Sequence, residues 1–155
     1  MINKKNKLVE LLKRELALMH RASRALEISW QACQNFSLDD KDSMEAIDQL
    51  ELLSSRFSRL TDFMIQRIFR LIDEIDLEMP GTVRDLINRA EKKRLIADAD
   101  AFIEARILRN KIAHEYAAEV MTEIFLTAVR LTPSILDAAK RVDAYIMRYK
   151  EQLTT

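Results

Sequence analysis

Between Leu8 and Cys33 the apolar residues Leu8, Leu11, Leu12, Leu16, Met19, Leu26 and Trp30 return mostly every three or four positions, the period of one helix face. The spacing predicts a first helix over this stretch. Asn35, Ser37, Asp39, Asp40, Asp42 and Ser43 follow as a polar run whose side chains can bond the backbone, closing one helix and opening the next. A second helix is expected from about Met44 to about Ile75, with an apolar face of Phe57, Leu60, Met64, Ile68, Leu71 and Ile75. At roughly 1.5 Å per residue each of these helices would be on the order of 40 Å long, the proportions of an up-and-down bundle. Pro80 and Gly81 make the one strong break, and Thr82 can cap a shorter third helix over Val83 to about Ala90. Asp98 and Asp100 suit the start of a fourth helix, from about Asp98 to about Ala113. A last helical region, Glu119 to about Gln152, carries Val120, Ile124, Phe125, Val129, Ile135, Leu136, Val142, Ile146 and Tyr149. Pro133 lies inside it without an N–H, so it either kinks one long helix or opens a second segment capped by Thr132.

The pattern reads as an all-α, up-and-down bundle of about five helices in a single domain over residues 1–155, with two long antiparallel helices as its trunk. Composition agrees. One Gly and two Pro in 155 residues leave little support for turn-rich β architectures or disorder. Lys+Arg 25 against Asp+Glu 25 gives no net charge, which excludes a broadly cationic coat for nucleic acid or membrane surfaces while leaving room for a local basic patch. A single cysteine, Cys33, forms no internal disulfide, no Cys/His spacing suits zinc, and a reducing cytoplasm fits best. Acidic and basic residues from Glu10 to Glu15 interrupt the start, so neither a signal-peptide core nor a membrane span is expected. No cofactor is expected either, because one glycine cannot build a Gly-rich phosphate loop and Met44, Met64 and Met79 read as packing residues.

Acid–base chemistry at neutral pH falls to two histidines. His20 has no nearby carboxylate in sequence before Glu27 and reads as a surface or core-edge residue. His114 sits in Arg109-Asn110-Lys111-Ile112-Ala113-His114-Glu115-Tyr116, where an arginine, an amide, an imidazole and a phenol each have a use on a phosphodiester. Arg109 can hold phosphate oxygens, His114 can move a proton at a ribose hydroxyl, Asn110 can orient a phosphate or ribose, and Tyr116 offers a hydroxyl or an aromatic face. On a continuous helix Arg109 and His114 lie about 140° apart, so a compact site needs His114 to leave the helix or a second copy of the segment to complete it. The alternative is a helix end in which Arg109 pairs with a carboxylate and His114 caps free carbonyls.

These eight residues resemble the Arg-x4-His-x-Tyr motif of HEPN-domain proteins, HepT-like toxins in particular, with the Asn that family favours directly after the Arg. Arg56 to Asp62 resembles part of the family's second long helix. The resemblance implies a HEPN-like bundle acting as a homodimeric, metal-independent endoribonuclease toxin. Arg109 and His114 of both subunits would line one cleft, supported by Asn110, and a ribose 2′-hydroxyl of an RNA substrate would attack the adjacent phosphorus. It also implies a small nucleotidyltransferase antitoxin (MntA-like) as partner, which would adenylylate Tyr116 and so put phosphate charge where RNA phosphate binds. A non-catalytic HEPN module, binding nucleotide or serving as the scaffold subunit of a nucleotidyltransferase, is the rival, and zero net charge speaks for it.

A further feature rests on spacing. Arg56, Arg59, Arg67 and Arg70, with Phe63 among them, project within about 80° of one another on a regular helix. Such a stripe can follow an RNA backbone, or stand solvated and paired with acids such as Glu74. Lys92, Lys93 and Arg94 leave the same two readings.

Overall fold

The computed structural model describes residues 3–35, 43–114 and 118–153, and among these residues the secondary structure is five helices with no strand. Helix α1 is Lys4–Cys33. Helix α2 runs as Met44–Phe63, continues through a π-helical segment Met64–Phe69 and ends as Arg70–Ile75. Helix α3 is Val83–Lys92, α4 is Ala99–His114 and α5 is Ala118–Leu153. The expected all-α bundle forms, with α1 and α2 side by side and α2 touching every other helix.

Polar side chains begin the helices where the sequence placed them. Ser43 accepts from Ala46 N at 3.0 Å, and Thr82 and Asp85 exchange backbone bonds in a capping box, 3.1 and 2.8 Å. A Cβ at Gly81 would stand 2.6 Å from Asp85 Oδ2, so the box needs a glycine there. Glu91 of α3 starts α4 by accepting from Ala99 N at 2.6 Å, a tie the sequence does not advertise.

The π-helical segment explains why α2 buries more than one apolar stripe. Leu53, Phe57 and Leu60 are buried before it, Met64, Ile65, Ile68 and Phe69 within it, and Ile72 after it. On an uninterrupted α-helix this set would drift around the axis; the wider π turn takes up about one extra residue and returns the face to the core. Phe69 then meets Phe102 of α4, ring centroids 5.7 Å apart. The same turn rotates Arg67 and Arg70 relative to Arg56 and Arg59, so the stripe drawn on a regular helix does not hold along its length. Of the three methionines read as packing residues, only Met64 is buried; Met44 and Met79 are exposed.

Pro133 lies within one continuous helix and opens no second segment. Thr132 does not cap: its hydroxyl donates back to Ala128 O at 2.7 Å. The missing N–H of Pro133 leaves the carbonyl four residues earlier, that of Val129, without its helical donor. Trp30 Nε1 of α1 donates to that oxygen at 3.1 Å. A proline that would otherwise weaken α5 becomes a docking point for α1.

A buried polar cluster joins the ends of α2, α3 and α5. Asp76 accepts from Tyr149 Oη at 2.7 Å, Lys93 Nζ at 2.9 Å and the Tyr145 hydroxyl, while Asp73 takes Arg89 Nε at 2.9 Å and Lys93 Nζ at 3.0 Å. Lys93 is therefore no solvated surface cation; it faces Asp73, Asp76 and Glu78. Burial alone would raise the Asp76 carboxyl, but the two tyrosine hydroxyls and Lys93 together hold it below the usual range. Burial and then Asp76 push both phenols up, and Asp76 and Asp73 raise Lys93 against its own burial.

Trp30→Phe should cost about 1–2 kcal/mol in urea denaturation by stranding the Val129 carbonyl, and Pro133→Ala, which restores a helical donor to that oxygen, should shrink the cost. Equal costs in both backgrounds would count against the docking role. A depressed carboxyl stabilises the fold above its unfolded pKa, whereas raised phenols and a raised ammonium stabilise it below theirs. Unfolding free energy should therefore fall below about pH 4 and above about pH 10, and Tyr149→Phe should lower it by about 1–3 kcal/mol at pH 7 with shallower slopes on both flanks.

Candidate functional site

Helix α4 turns Phe102, Ala105 and Leu108 inward. Its α-helical winding continues through His114, so His114 does not leave the helix and the angle of about 140° between Arg109 and His114 stands. Arg109 projects about 20° from Phe102, at the edge of the core facing α2. There its Nε donates to Asp62 Oδ2 at 2.6 Å, and Nη1 donates to Asn110 Oδ1 at 3.4 Å. The pair is open to water, with side chains 34% and 41% exposed.

Asn110 lies about 100° around the helix from Arg109, and His114 about 140°. With Ile107 they span about 60° of the helix surface away from Phe102, Ala105 and Leu108, while Ile103 packs half-buried against the core. Ile107 is 52% exposed, and Asn110 and His114 are exposed as well. Within one chain, then, the structure joins Arg109 to Asn110 and to Asp62, and sets His114 apart. Lys111 and His114 in the last turn lie where positive charge complements the helix dipole. Tyr116 lies outside the described residues.

The arginines of α2 have separate fates. Arg56 Nη1 donates to Ala25 O at 2.9 Å and Ser29 Oγ at 2.8 Å, clamping α1 to α2. Arg67 pairs with Glu15 at 3.5 Å, Arg70 bonds Gln66, and Arg59 is exposed. Glu74 pairs instead with Lys4 of α1. His20 is exposed as expected, but it has a carboxylate: Nε2 lies 2.8 and 2.9 Å from the two oxygens of Asp143 on α5. Neither Asp62 nor Asp143 was accessible to local spacing, because each partner comes from another helix.

An open groove of about 530 Å³ between α4 and α5 is lined by Glu104, Ile107, Lys111, Val120 and Glu123 among others, without Arg109 or His114. Among the described residues no three His, Cys, Asp or Glu side chains gather as a metal site, and no helix is long and apolar enough to cross a membrane. No model of a known protein family matches the chain, and no curated protein matches it.

The solvent-open Asp62–Arg109 pair should contribute little to folding. A double-mutant cycle with Asp62→Ala and Arg109→Ala should give a coupling of about 1 kcal/mol or less in chemical denaturation. A larger coupling would mark Arg109 as a structural clamp.

Proposed function

We propose that the chain is a metal-independent endoribonuclease of the HEPN type whose site is completed by a second copy of itself. The observation that supports this reading is the exposed ridge Ile107–Asn110–His114, which carries the histidine and the amide beside a half-exposed isoleucine. Packing two such ridges would exclude water and bring the histidine of one copy towards the Arg109 edge of the other. One catalytic His114 would then take the proton of a ribose 2′-hydroxyl. The 2′-oxygen attacks phosphorus, the bond to the 5′-oxygen breaks, and that oxygen leaves with a proton from the other histidine. Arg109 would offset charge on the phosphoryl oxygens, exchanging its bond to Asp62 for one to phosphate. The products are a 2′,3′-cyclic phosphate and a 5′-hydroxyl. The reading does not lean on the α2 arginine stripe, since Arg56 and Arg67 are engaged within the fold. A nucleotidyltransferase antitoxin acting on Tyr116 would belong to the same reading.

The second reading, a non-catalytic nucleotide-binding or scaffold subunit of a nucleotidyltransferase, draws on the Asp62–Arg109 pair, which already occupies the guanidinium. Cleavage of RNA in the presence of a chelator separates the two. Under the nuclease reading His114→Ala and Arg109→Ala each lower the rate by about a hundredfold or more. Ile107→Glu should convert a dimer to a monomer in sedimentation and abolish cleavage without loss of helicity. Undiminished cleavage by both alanine variants would reject the assigned roles.

A further inference from the structure

Away from the α4 ridge, α1 carries a second pattern that the core does not use. Leu11, Arg14, Leu18, Arg21, Ala25 and Ile28 alternate at three and four residues, the seam spacing of a helix that packs on another helix. None of the six is fully buried, and Leu18 and Ile28 are 49% and 58% exposed. On the neighbouring flank of α2, Arg56, Arg59 and Phe63 stand at the same spacing, and an open groove of about 440 Å³ lies between the two ridges. Its floor is Leu18, Ala22, Ala25 and Phe63, and its charged lining is arginine alone, Arg21, Arg56 and Arg59.

Three features select the occupant. Alanine at two positions of the floor lets another backbone come close, as small residues do at helix contacts. Neither Arg21 nor Arg59, both lining the groove, has a carboxylate within ion-pair distance among the described residues. A second copy docking groove to groove would set these arginines against their own mates, which costs energy. An RNA strand would meet mostly apolar floor, with Arg56 already spent on Ala25 O and Ser29 Oγ.

We propose that the α1/α2 groove receives an acidic amphipathic helix of a partner protein. Its apolar residues, three and four apart, lie on Leu18, Ala25 and Phe63, and its carboxylates pair with Arg21 and Arg59. This stands apart from the reading of α4 and survives its failure.

The test uses the full chain and a labelled synthetic helix of about 20 residues with leucine at seam positions and glutamate elsewhere, read by fluorescence anisotropy beside a lysine counterpart. The glutamate peptide should bind about tenfold or more tighter than the lysine peptide. Combined Arg21→Glu and Arg59→Glu should reverse that preference, and Ala25→Gln should remove binding of both peptides while circular dichroism stays unchanged. Equal binding of the two peptides, or indifference to these substitutions, overturns the proposal. So does a single-stranded oligouridine that binds in place of the peptide and is lost on the same charge reversal, which would make the groove an RNA surface. A change of sedimentation coefficient caused by Ala25→Gln alone would assign it to a second copy and overturn it equally.

Discussion

Two carboxylates on the last turns of α2 govern how this bundle closes. Asp73 is 7% exposed, and an ionised group so placed costs several kcal/mol unless partners meet it. Arg89 comes from α3, Lys93 from its end, and Tyr145 and Tyr149 from α5, with Asp76 the shared acceptor of the last three. These directional bonds tie α2, α3 and α5 to one another and so hold their register where apolar packing alone would tolerate sliding. Glu91 extends the tie to the start of α4. The short α3 works as a strut between the long helices.

The opposite end of the bundle is arranged differently. There α1 and α5 meet through the Trp30 indole and a carbonyl that Pro133 leaves open, a neutral bond instead of an ionic one. Helix α4 ends at this side, and its polar groups stand in water: Arg109 on an exposed carboxylate, Asn110 and His114 on the outer face. A fold that satisfies its buried charges at one end can leave reactive residue types at the other without a stability penalty, because no buried group there depends on them.

Helix boundaries were readable from the sequence because they depend on neighbours in the chain. Period, caps at Ser43 and Thr82 and the break at Pro80–Gly81 act over a few residues, and all five helices form within a few residues of the stretches that predict them. Partnerships across helices were not readable. Arg109 and Asp62 lie 47 residues apart, Trp30 and Val129 99, and His20 and Asp143 123, and nothing local distinguishes one exposed carboxylate from another. The π turn was equally hidden, since its apolar residues also fit a broad α-helical face. For the candidate site, the residue types and their helix were legible, together with the angle between Arg109 and His114. What the angle leaves open, whether a second copy closes the gap, depends on a surface and not on a spacing.

Neutral composition also conceals an uneven surface. Lys93 faces three carboxylates, Asp73, Asp76 and Glu78, and Arg89 is the only other cation in ion-pair contact with that group among the described residues. Arg21 and Arg59, without an ion-pair partner among the described residues, stand beside an apolar floor. The overall balance that speaks against a nucleic-acid coat is therefore no argument against a local cationic groove, and the chemistry of its floor, not the net charge, decides which class of partner it fits.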